Sequence, residues 1–332
     1  MNQLTAAPLV SVCVITYCHE AYIRQALDSI FMQETDFDYE VIVGEDASPD
    51  GTRAILLEYK EKYPEKLRLI LHDRNLGMNG NAESVLRACR GKYIANCEGD
   101  DYWTSKGKLQ IQVDFLEAHP EYTGACHDIA AVDRDGKLLG EWANWGTRRS
   151  GIYTLEDFLR DSLPSQTASL VHRNFFALYP EEAEAYFRCG ANGDVKTALW
   201  LTLKGDIRWL EGRMSAYRRV TDSGASWSAA MEGKNMAPHY MSMVTALDDF
   251  AYQVLGRRAD FSAGYVKMWT LAVSRLIRRP GRESLEVLKS LKDPRCFKAA
   301  YLARVPWEVL KRGVRKLWIE ARKLAKRPGL RN

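Results

Sequence analysis

The segment 98–103, which reads EGDDYW, holds three carboxylates within four positions. Like charges held this close repel one another, and a fold tolerates them where a cation lies among them. Mg²⁺ and Mn²⁺ prefer carboxylate oxygens as ligands and bridge them to phosphate oxygens. The spacing of Glu98, Asp100 and Asp101 therefore predicts a site for a divalent cation, Mn²⁺ or Mg²⁺. The alternative is a solvated acidic turn in which Glu98 or Asp101 caps the next helix.

The acidic segment follows an apolar run, residues 93–97, that predicts a buried strand. Three similar runs precede it, at residues 10–16, 39–43 and 67–71, and helical patterns separate them. Strands and helices that alternate at this spacing predict right-handed βαβ units. The fold class is therefore α/β, with an open, mostly parallel sheet flanked by helices.

The second half of the chain has shorter strand patterns and more helix. Strands are predicted at residues 122–127, 166–172 and 208–217, with a helix over 194–204. The β patterns fade near residue 228, and helices are predicted over 235–256, 262–278, 282–291 and 306–326. We therefore expect an α/β domain of residues 1–225 and a helical C-terminal region of residues 226–332 that ends in a basic amphipathic helix.

The composition is that of an ordinary globular protein, with 46% hydrophobic and 27% charged residues among 332. A net charge of +4 is too small to indicate nucleic-acid binding, and none is expected. The seven cysteines include no C-x-x-C pair, which favours buried free thiols in a reducing compartment. The sequence shows neither a signal peptide nor an apolar run long enough to span a bilayer. We therefore expect a cytoplasmic protein.

The C-terminal segment 304–331 carries ten Lys and Arg residues against two acids. Apolar residues recur in it at helical spacing, with Trp307 and Trp318 among them. Such a helix suits a membrane interface, where each basic residue near an anionic leaflet contributes about 1 kcal/mol. We expect peripheral contact of residues 304–327 with the inner face of the cell membrane. The alternative is a helix that docks on its own domain and leaves a solvated basic face.

Polar residues follow three of the predicted parallel strands at the point where each strand ends. Thr16 and Tyr17 follow the first strand, Asp46 follows the second, and the acidic segment follows the fourth. Ligands of open α/β sheets bind at this edge. Asp46 is suited to accept a hydrogen bond from a base N–H or a ribose hydroxyl, and the carboxylates are suited to hold a metal on a diphosphate. The chain has neither a P-loop motif nor a G-x-G-x-x-G after its first strand, which excludes P-loop NTPases and disfavours dinucleotide binding.

Five segments in order make the first domain resemble the family 2 glycosyltransferases of bacterial cell-surface polysaccharide synthesis, which have the GT-A fold. The segments are residues 10–20, 45–52, 74–77, 91–95 and 98–103. The resemblance implies that Asp46 contacts the base of the donor, usually uracil or thymine. It places Glu98 and Asp100 at the two ends of the family's D-x-D motif, with Asp100 as the direct metal ligand. Asp101 is then expected to touch the donor sugar or a metal-bound water.

The same resemblance assigns donor binding to a wider set of residues. They are Thr16, Tyr17, Glu20, Asp46, Arg74, Asn75, Gly77, Asp101, Arg218 and Arg219. Residues 217–226 resemble the family's loop that folds over the diphosphate, in which many relatives carry a histidine. Here Arg218 or Arg219 would supply the positive charge, unless the segment is an exposed basic turn. His19, His127 and His172 form no metal triad by their spacing, so we expect structural or surface roles for them.

The family also uses a carboxylate base, at the start of a helix, in a pattern of an acid followed by W-L. Residues 192–201, NGDVKTALWL, fit that pattern and identify Asp194 as the base. The family often has two adjacent acids there, whereas this chain has Gly193 and Asp194. The alternative is that Asp194 only caps its helix, a position that aspartate favours.

These features together predict an inverting glycosyltransferase, in which inversion is implied by the resemblance alone. The donor is a nucleotide-diphospho-sugar, with UDP or dTDP favoured, and the acceptor is a glycan hydroxyl, lipid-linked in this interpretation. One alternative is a non-catalytic scaffold that binds sugar nucleotides. Another is a nucleotidyltransferase, but such enzymes carry a glycine-rich basic loop where this chain reads YCHE at residues 17–20.

Overall fold

The computed structural model describes residues 7–139, 151–160, 163–220, 236–291 and 293–325. Within these residues there are nine strands: β1 (Val10–Thr16), β2 (Tyr39–Glu45), β3 (Leu67–Leu71), β4 (Tyr93–Asn96), β5 (Tyr102–Trp103), β6 (Tyr122–Val132), β7 (Ile152–Tyr153), β8 (Val171–Arg173) and β9 (Asp206–Arg218). All of them join one sheet in the order β3-β2-β1-β4-β8-β6-β9-β5, with β7 paired to β9.

The helices that accompany these strands are α1 (Ile23–Phe31), α2 (Thr52–Lys62), α3 (Gly77–Ala88), α4 (Lys108–Ala118), α5 (Leu155–Leu159), α6 (Phe175–Leu178), α7 (Pro180–Arg188) and α8 (Gly193–Lys204). After them come α9 (Ala237–Leu255), α10 (Ser262–Arg278), α11 (Arg282–Ser290) and α12 (Ala299–Ala325). Helices and strands alternate from β1 to β4, as the sequence predicted. The expected α/β class is confirmed.

Strands β1 to β4 form the parallel part of the sheet and the centre of the core. β1 pairs in parallel with β2 and with β4, and β2 pairs in parallel with β3. Every residue of β2 is buried, as befits a strand covered on both faces. The long pair β6–β9 is also parallel, whereas β8 runs antiparallel to β4 and to β6.

Two elements of the structure differ from their predicted form. The strand expected at residues 166–172 is interrupted by a 3₁₀ turn, Thr167–Ser169, and β8 covers only its end. The Gln166 side chain accepts the backbone N–H of Ala168 at 2.7 Å, so a local side-chain bond replaces a strand pairing there. The last helix begins at Ala299, seven residues before the predicted start, and contains Pro306.

The chain divides into two compact units. The first unit consists of two segments, residues 1–232 and 250–258. The second lies within residues 233–249 and 259–332 and is helical. Inside the second unit, Arg295 forms ion pairs with Asp248, Asp249 and Asp293. None of the helices in the described ranges is both long enough and apolar enough to cross a bilayer.

Candidate functional site

The candidate site lies where the strand order reverses, at the carboxyl ends of β1 and β4. β2 adjoins one side of β1 and β4 the other, which opens a crevice at that end of the sheet. Beyond β4 the chain continues beside β1, because Cys97 N–H donates to the Cys13 carbonyl and Gly99 N–H donates to the Ile15 carbonyl, both at 3.0 Å. The acidic segment is thereby placed next to Thr16, the last residue of β1.

The three predicted carboxylates do come together. One oxygen from each of Glu98, Asp100 and Asp101 lies within 4.8 Å of the others. Burial in the crevice raises the pKa of Glu98 to about 8, and the charges of Asp100 and Asp194 add to the shift. Glu98 and Asp100 keep partial access to solvent. Oxygen ligands that repel one another at an accessible crevice fit a hard divalent cation, and Glu98 and Asp100 are the residues that would hold it.

Asp101 differs from its two neighbours because both of its oxygens have protein partners. Oδ1 accepts the backbone N–H of Arg218 at 2.8 Å, and Oδ2 accepts the Gln166 amide N–H at 2.7 Å. The residue is only 1% exposed, and burial, with the charges of Asp100 and Glu98, raises its pKa well above the usual range. The expected contact of Asp101 with the donor therefore stays a prediction, whereas its structural role is visible.

Asp194 lies in the first turn of α8, and its charge reaches the acidic cluster. Oδ1 accepts the backbone N–H of Val195 at 2.8 Å, so the carboxylate does stabilise the start of the helix. The side chain is nevertheless open to solvent. Surrounding protein raises the pKa of Asp194, and its charge in turn raises the pKa of Glu98. An accessible carboxylate with a raised pKa, beside the metal-type ligands, suits a general base.

Asp46 joins the end of β2 to the beginning of α3. Its two carboxylate oxygens accept the backbone N–H groups of Leu76, at 2.7 Å, and Gly77, at 2.9 Å. Gly77 has a φ of +77°, a left-handed conformation that glycine adopts without strain. Asn75 accepts the same Gly77 N–H at 3.0 Å through its side chain. Arg74 next to it is exposed and has no ion pair within the described ranges.

The turns that follow β1 and β2 are held together by hydrogen bonds between them. Cys18 and Ala47 both have positive φ angles, 55° and 57°, so each turn contains a backbone conformation that a non-glycine residue rarely adopts. The bonds run from Cys18 N–H to Ser48 Oγ, from His19 N–H to Thr52 Oγ1, from Glu20 N–H to Asp50 Oδ2, and from Gly51 N–H to Glu20 Oε2. Glu20 thus supports the turn, and its assignment to the donor stays a prediction. Tyr17 is 36% exposed.

Arg218 is buried rather than displayed to solvent. Its guanidinium donates to the carbonyl oxygens of Asp100, Asp133 and Arg134 and to Oε1 of Gln25. These four bonds occupy the side chain, so contact with a diphosphate would require some of them to break. The donor role of Arg218 stays a prediction, as does that of Arg219. Residues 221–226 of the expected loop lie outside the described residues.

His19 is the residue of the site that the sequence interpretation passed over. Its Nε2 lies 3.9 Å from Oδ2 of Asp100, and its Nδ1 lies 3.2 Å from Oγ1 of Thr16. The sequence could have indicated this residue, because His19 lies three residues after the end of β1, on the same sheet edge as the carboxylates. His127 and His172 are buried, and burial lowers their pKa values to about 3 and about 4, which fits the expected structural role.

Comparison with known proteins finds a matching family model, similar sequences and a solved structure that shares the fold. The model for glycosyl transferase family 2 matches residues 11–177. An uncharacterized protein of Mycobacterium tuberculosis is 33% identical over 325 residues, covering 91% of this chain and 86% of its own. A Bacillus subtilis glycosyltransferase named for teichuronic acid biosynthesis is 34% identical over 109 residues, covering 33% of this chain and 42% of its own. S. aureus TarS 1–349 in complex with UDP-GlcNAc shares the fold, with a TM-score of 0.63, 16% identity, and 91% of this chain and 88% of that chain covered.

Proposed function

The chain belongs to glycosyl transferase family 2, and from this premise we propose that it is an inverting, metal-dependent enzyme of surface polysaccharide synthesis. It moves a sugar from a nucleotide-diphospho-sugar to a hydroxyl of a glycan. The observation that carries the proposal is the grouping of Thr16, Asp46 and the cluster of Glu98 and Asp100 at one edge of the sheet, with Asp194 near enough for its charge to raise the pKa of Glu98. The crystallised neighbour with UDP-GlcNAc and the relative named for teichuronic acid biosynthesis agree with a nucleotide-sugar donor and with polysaccharide synthesis.

The nucleobase of the donor is assigned to Asp46. The carboxylate already accepts two backbone N–H groups, and each oxygen keeps a further lone pair for the imide N–H of uracil or thymine. The backbone N–H of Asp46 donates to the Thr16 carbonyl at 3.1 Å, so the exposed Tyr17, the next residue along the chain, follows directly on the strand end that Asp46 adjoins. A carboxylate beside an aromatic ring can select a base by hydrogen bonding and stack on its face, which supports UDP or dTDP as the carrier.

The diphosphate is assigned to the cluster of Glu98 and Asp100. A bound Mn²⁺ or Mg²⁺ would neutralise the charge that builds up on the diphosphate as it leaves. Burial and like charge hold the pKa of Glu98 near 8, so in the absence of the ion this carboxyl tends to carry a proton. When the donor complex forms, the positive charge of the cation would offset the negative charges of Glu98 and Asp100.

The acceptor is activated by Asp194. The carboxylate takes the proton of the acceptor hydroxyl as that oxygen attacks the anomeric carbon from the face opposite the diphosphate, so the configuration inverts. Its place in the first turn of α8 supports this role, because a helix holds the backbone of the residue in a defined orientation. The hydrogen bond from Val195 N–H occupies one oxygen, which leaves the other to receive the proton.

A lipid-linked acceptor is supported by the surface of the second unit. Trp307 and Leu310 of α12 are 59% and 56% exposed, and Ile277 of α10 is 64% exposed. Burial lowers the pKa of Arg312, and the charge of Arg278 adds to that shift, so the two cations repel each other. Neither forms an ion pair within the described ranges. Apolar side chains among basic ones suit an anionic bilayer surface. Of the predicted contact region 304–327, the side chains of residues 314–325 and the whole of residues 326 and 327 lie outside those described.

The alternatives account for less of the site. A scaffold that only binds sugar nucleotides needs Asp46 and the metal ligands, but it has no use for an accessible acid at the start of α8. A nucleotidyltransferase needs phosphate contacts in the loop after β1. In this chain that loop is closed by hydrogen bonds to residues 48–52 and carries no glycine.

The proposal is tested with a panel of UDP-, dTDP- and GDP-sugars. Purified protein is incubated with each donor, with and without Mn²⁺, and released nucleotide is measured along with the shift in thermal unfolding. We expect one donor to be hydrolysed slowly and to stabilise the protein only when metal is present. Stabilisation without any release of nucleotide, even with added glycan acceptors, would favour the scaffold, and no response from folded protein would overturn the donor site.

A further inference from the structure

The imidazole of His19 lies between the end of β1 and the acidic cluster. Nδ1 is 3.2 Å from Thr16 Oγ1, and Nε2 is 3.9 Å from Oδ2 of Asp100. The backbone N–H of His19 donates to Thr52 Oγ1 at 3.0 Å, which fixes the main chain of the residue independently of its ring. The His19 side chain is 13% exposed and that of Asp100 is 17% exposed, so the ring forms part of the crevice wall.

Gly99 makes room for this ring. A Cβ atom built on Gly99 would lie 2.7 Å from His19 Nδ1 and 2.7 Å from Thr16 Oγ1, closer than real Cβ contacts come. Gly99 is not among the described glycines with a positive φ, so its backbone conformation does not require glycine. The absence of a side chain at position 99 therefore serves the close approach of His19 and Thr16 to the acidic segment.

We propose that His19 is a positioning residue for the metal ligand Asp100, and that Gly99 is present to admit it. Thr16 orients the ring through Nδ1, and the ring presents Nε2 to the Asp100 carboxylate. At 3.9 Å Nε2 lies beyond hydrogen-bond distance, but the ring still occupies one side of the carboxylate and so limits the orientations that the carboxylate loses when it binds a cation. The inference rests on the proposed metal site and adds to it a residue whose ring lies outside the three carboxylates.

A purely structural role for His19 would give a different result. The ring would then help to pack the turn after β1, and its loss would lower stability without changing metal affinity beyond that effect. Outer partners of metal ligands, by contrast, typically change metal affinity about 10- to 100-fold when removed. Metal affinity measured on folded protein therefore separates the two roles.

The experiment measures Mn²⁺ binding from the loss of the free-ion EPR signal, with the full chain and saturating UDP. We expect His19→Ala and Gly99→Ala each to weaken Mn²⁺ binding about 10- to 100-fold. His19→Gln should recover most of the affinity, because its amide N–H can reach the position of Nε2. The matched controls are His119→Ala, an exposed histidine paired with Glu121, and Gly107→Ala, where a Cβ would meet only Ile111 Cδ1 at 3.6 Å.

Affinity within twofold of wild type for His19→Ala, in protein that unfolds at its usual temperature, would overturn the inference. So would a loss shared equally by the His119 and Gly107 controls. If Gly99→Ala does not fold, the pair of His19 variants still decides the matter. Failure of the wild-type protein to bind Mn²⁺ at all would instead overturn the proposed metal site, so the two failures are distinguishable.

Discussion

The backbone N–H of Arg218 donates to Oδ1 of Asp101 at 2.8 Å, which anchors the last residue of β9 to the segment after β4. The second oxygen of Asp101 accepts the Gln166 amide N–H at 2.7 Å. One acid of the cluster is therefore committed to holding the sheet together, while Glu98 and Asp100 keep access to the crevice. Three neighbouring carboxylates thus perform two different tasks.

Replacement of Asp101 should affect stability first. In Asp101→Asn one side-chain oxygen becomes an N–H donor, so a buried N–H, of Arg218 or of Gln166, loses its acceptor. We expect a loss of about 1–3 kcal/mol in the free energy of unfolding at pH 4, where the raised pKa of Asp101 adds no cost of ionisation, measured by urea denaturation of the metal-free protein. Asp114→Asn on α4, an exposed position, is the control. A variant as stable as wild type would show that these two bonds contribute nothing.

Replacement of Glu98 should have the opposite effect on the metal-free protein. Its pKa in the fold is about 8 against an ordinary 4.5, so the folded protein binds a proton that the unfolded chain releases between those pH values. The stabilising contribution of this group is complete below pH 4.5 and is lost as the pH rises through 8. Glu98→Gln should therefore raise Tm at pH 9, by roughly 2–4 °C for each kcal/mol recovered, and change it least at pH 4.

The control for that series is Glu61→Gln on the exposed face of α2, which should leave Tm unchanged at both pH values. Thermal unfolding followed by circular dichroism in metal-free buffer provides the measurement. If Glu98→Gln shifts Tm by the same amount at pH 4 and at pH 9, the raised pKa of Glu98 is contradicted. The same variant should no longer gain stability from Mn²⁺.

Replacement of Asp194 should remove turnover and spare the donor. Asp194→Asn keeps an oxygen for the Val195 N–H, so the start of α8 should stay intact, but the side chain can no longer take a proton. We expect kcat to fall about 10²- to 10⁴-fold, with the Kd for the donor unchanged. Glu181→Gln, in the first turn of α7, is the matched control. Full activity in Asp194→Asn would assign the base to another residue.

The second unit should bind anionic vesicles. Arg278→Glu combined with Arg312→Glu removes two basic residues, each worth about 1 kcal/mol near an anionic surface, so binding should weaken at least roughly 30-fold. Co-sedimentation with phosphatidylglycerol and phosphatidylcholine vesicles provides the measurement. Lys62→Glu with Lys106→Glu makes the same charge change in the first unit and should have little effect. Equal binding of the wild type to both lipids would contradict an electrostatic membrane contact.

Much of the fold and the acidic cluster could be predicted because both depend on local patterns. The runs at β1 to β4 are mainly apolar, and strand ends in parallel sheets meet at one edge whatever the details of packing. Asp46 was expected at the same edge from its position after β2, whereas Asp194 was predicted only from the resemblance of residues 192–201 to the family's pattern. The acidic cluster and the place of Asp46 can therefore be predicted from the order of the strands and helices along the chain.

The roles of His19 and Arg218 depend on contacts that sequence spacing does not encode. The Arg218 guanidinium donates to Gln25, a residue 193 positions away in the sequence. The polar sequence around Arg218 predicts an exposed side chain, and this distant contact helps to bury it. His19 meets Asp100 only because β4 runs beside β1 and because Gly99 leaves space for the ring. Glu20 likewise turns to the Gly51 N–H, a partner fixed by the packing of two turns.

The most direct test of a metal-dependent donor site is calorimetric titration of UDP, dTDP and GDP into the protein with and without Mn²⁺. We predict that at least one nucleotide binds tightly only with Mn²⁺, and that Asp46→Asn weakens this binding about 10-fold or more while the exposed Asp73→Asn does not. We expect Glu98→Gln to lose this Mn²⁺-dependent nucleotide binding as well. Nucleotide binding of equal strength with and without Mn²⁺, or no binding by folded wild-type protein, would contradict the site at the ends of β1, β2 and β4.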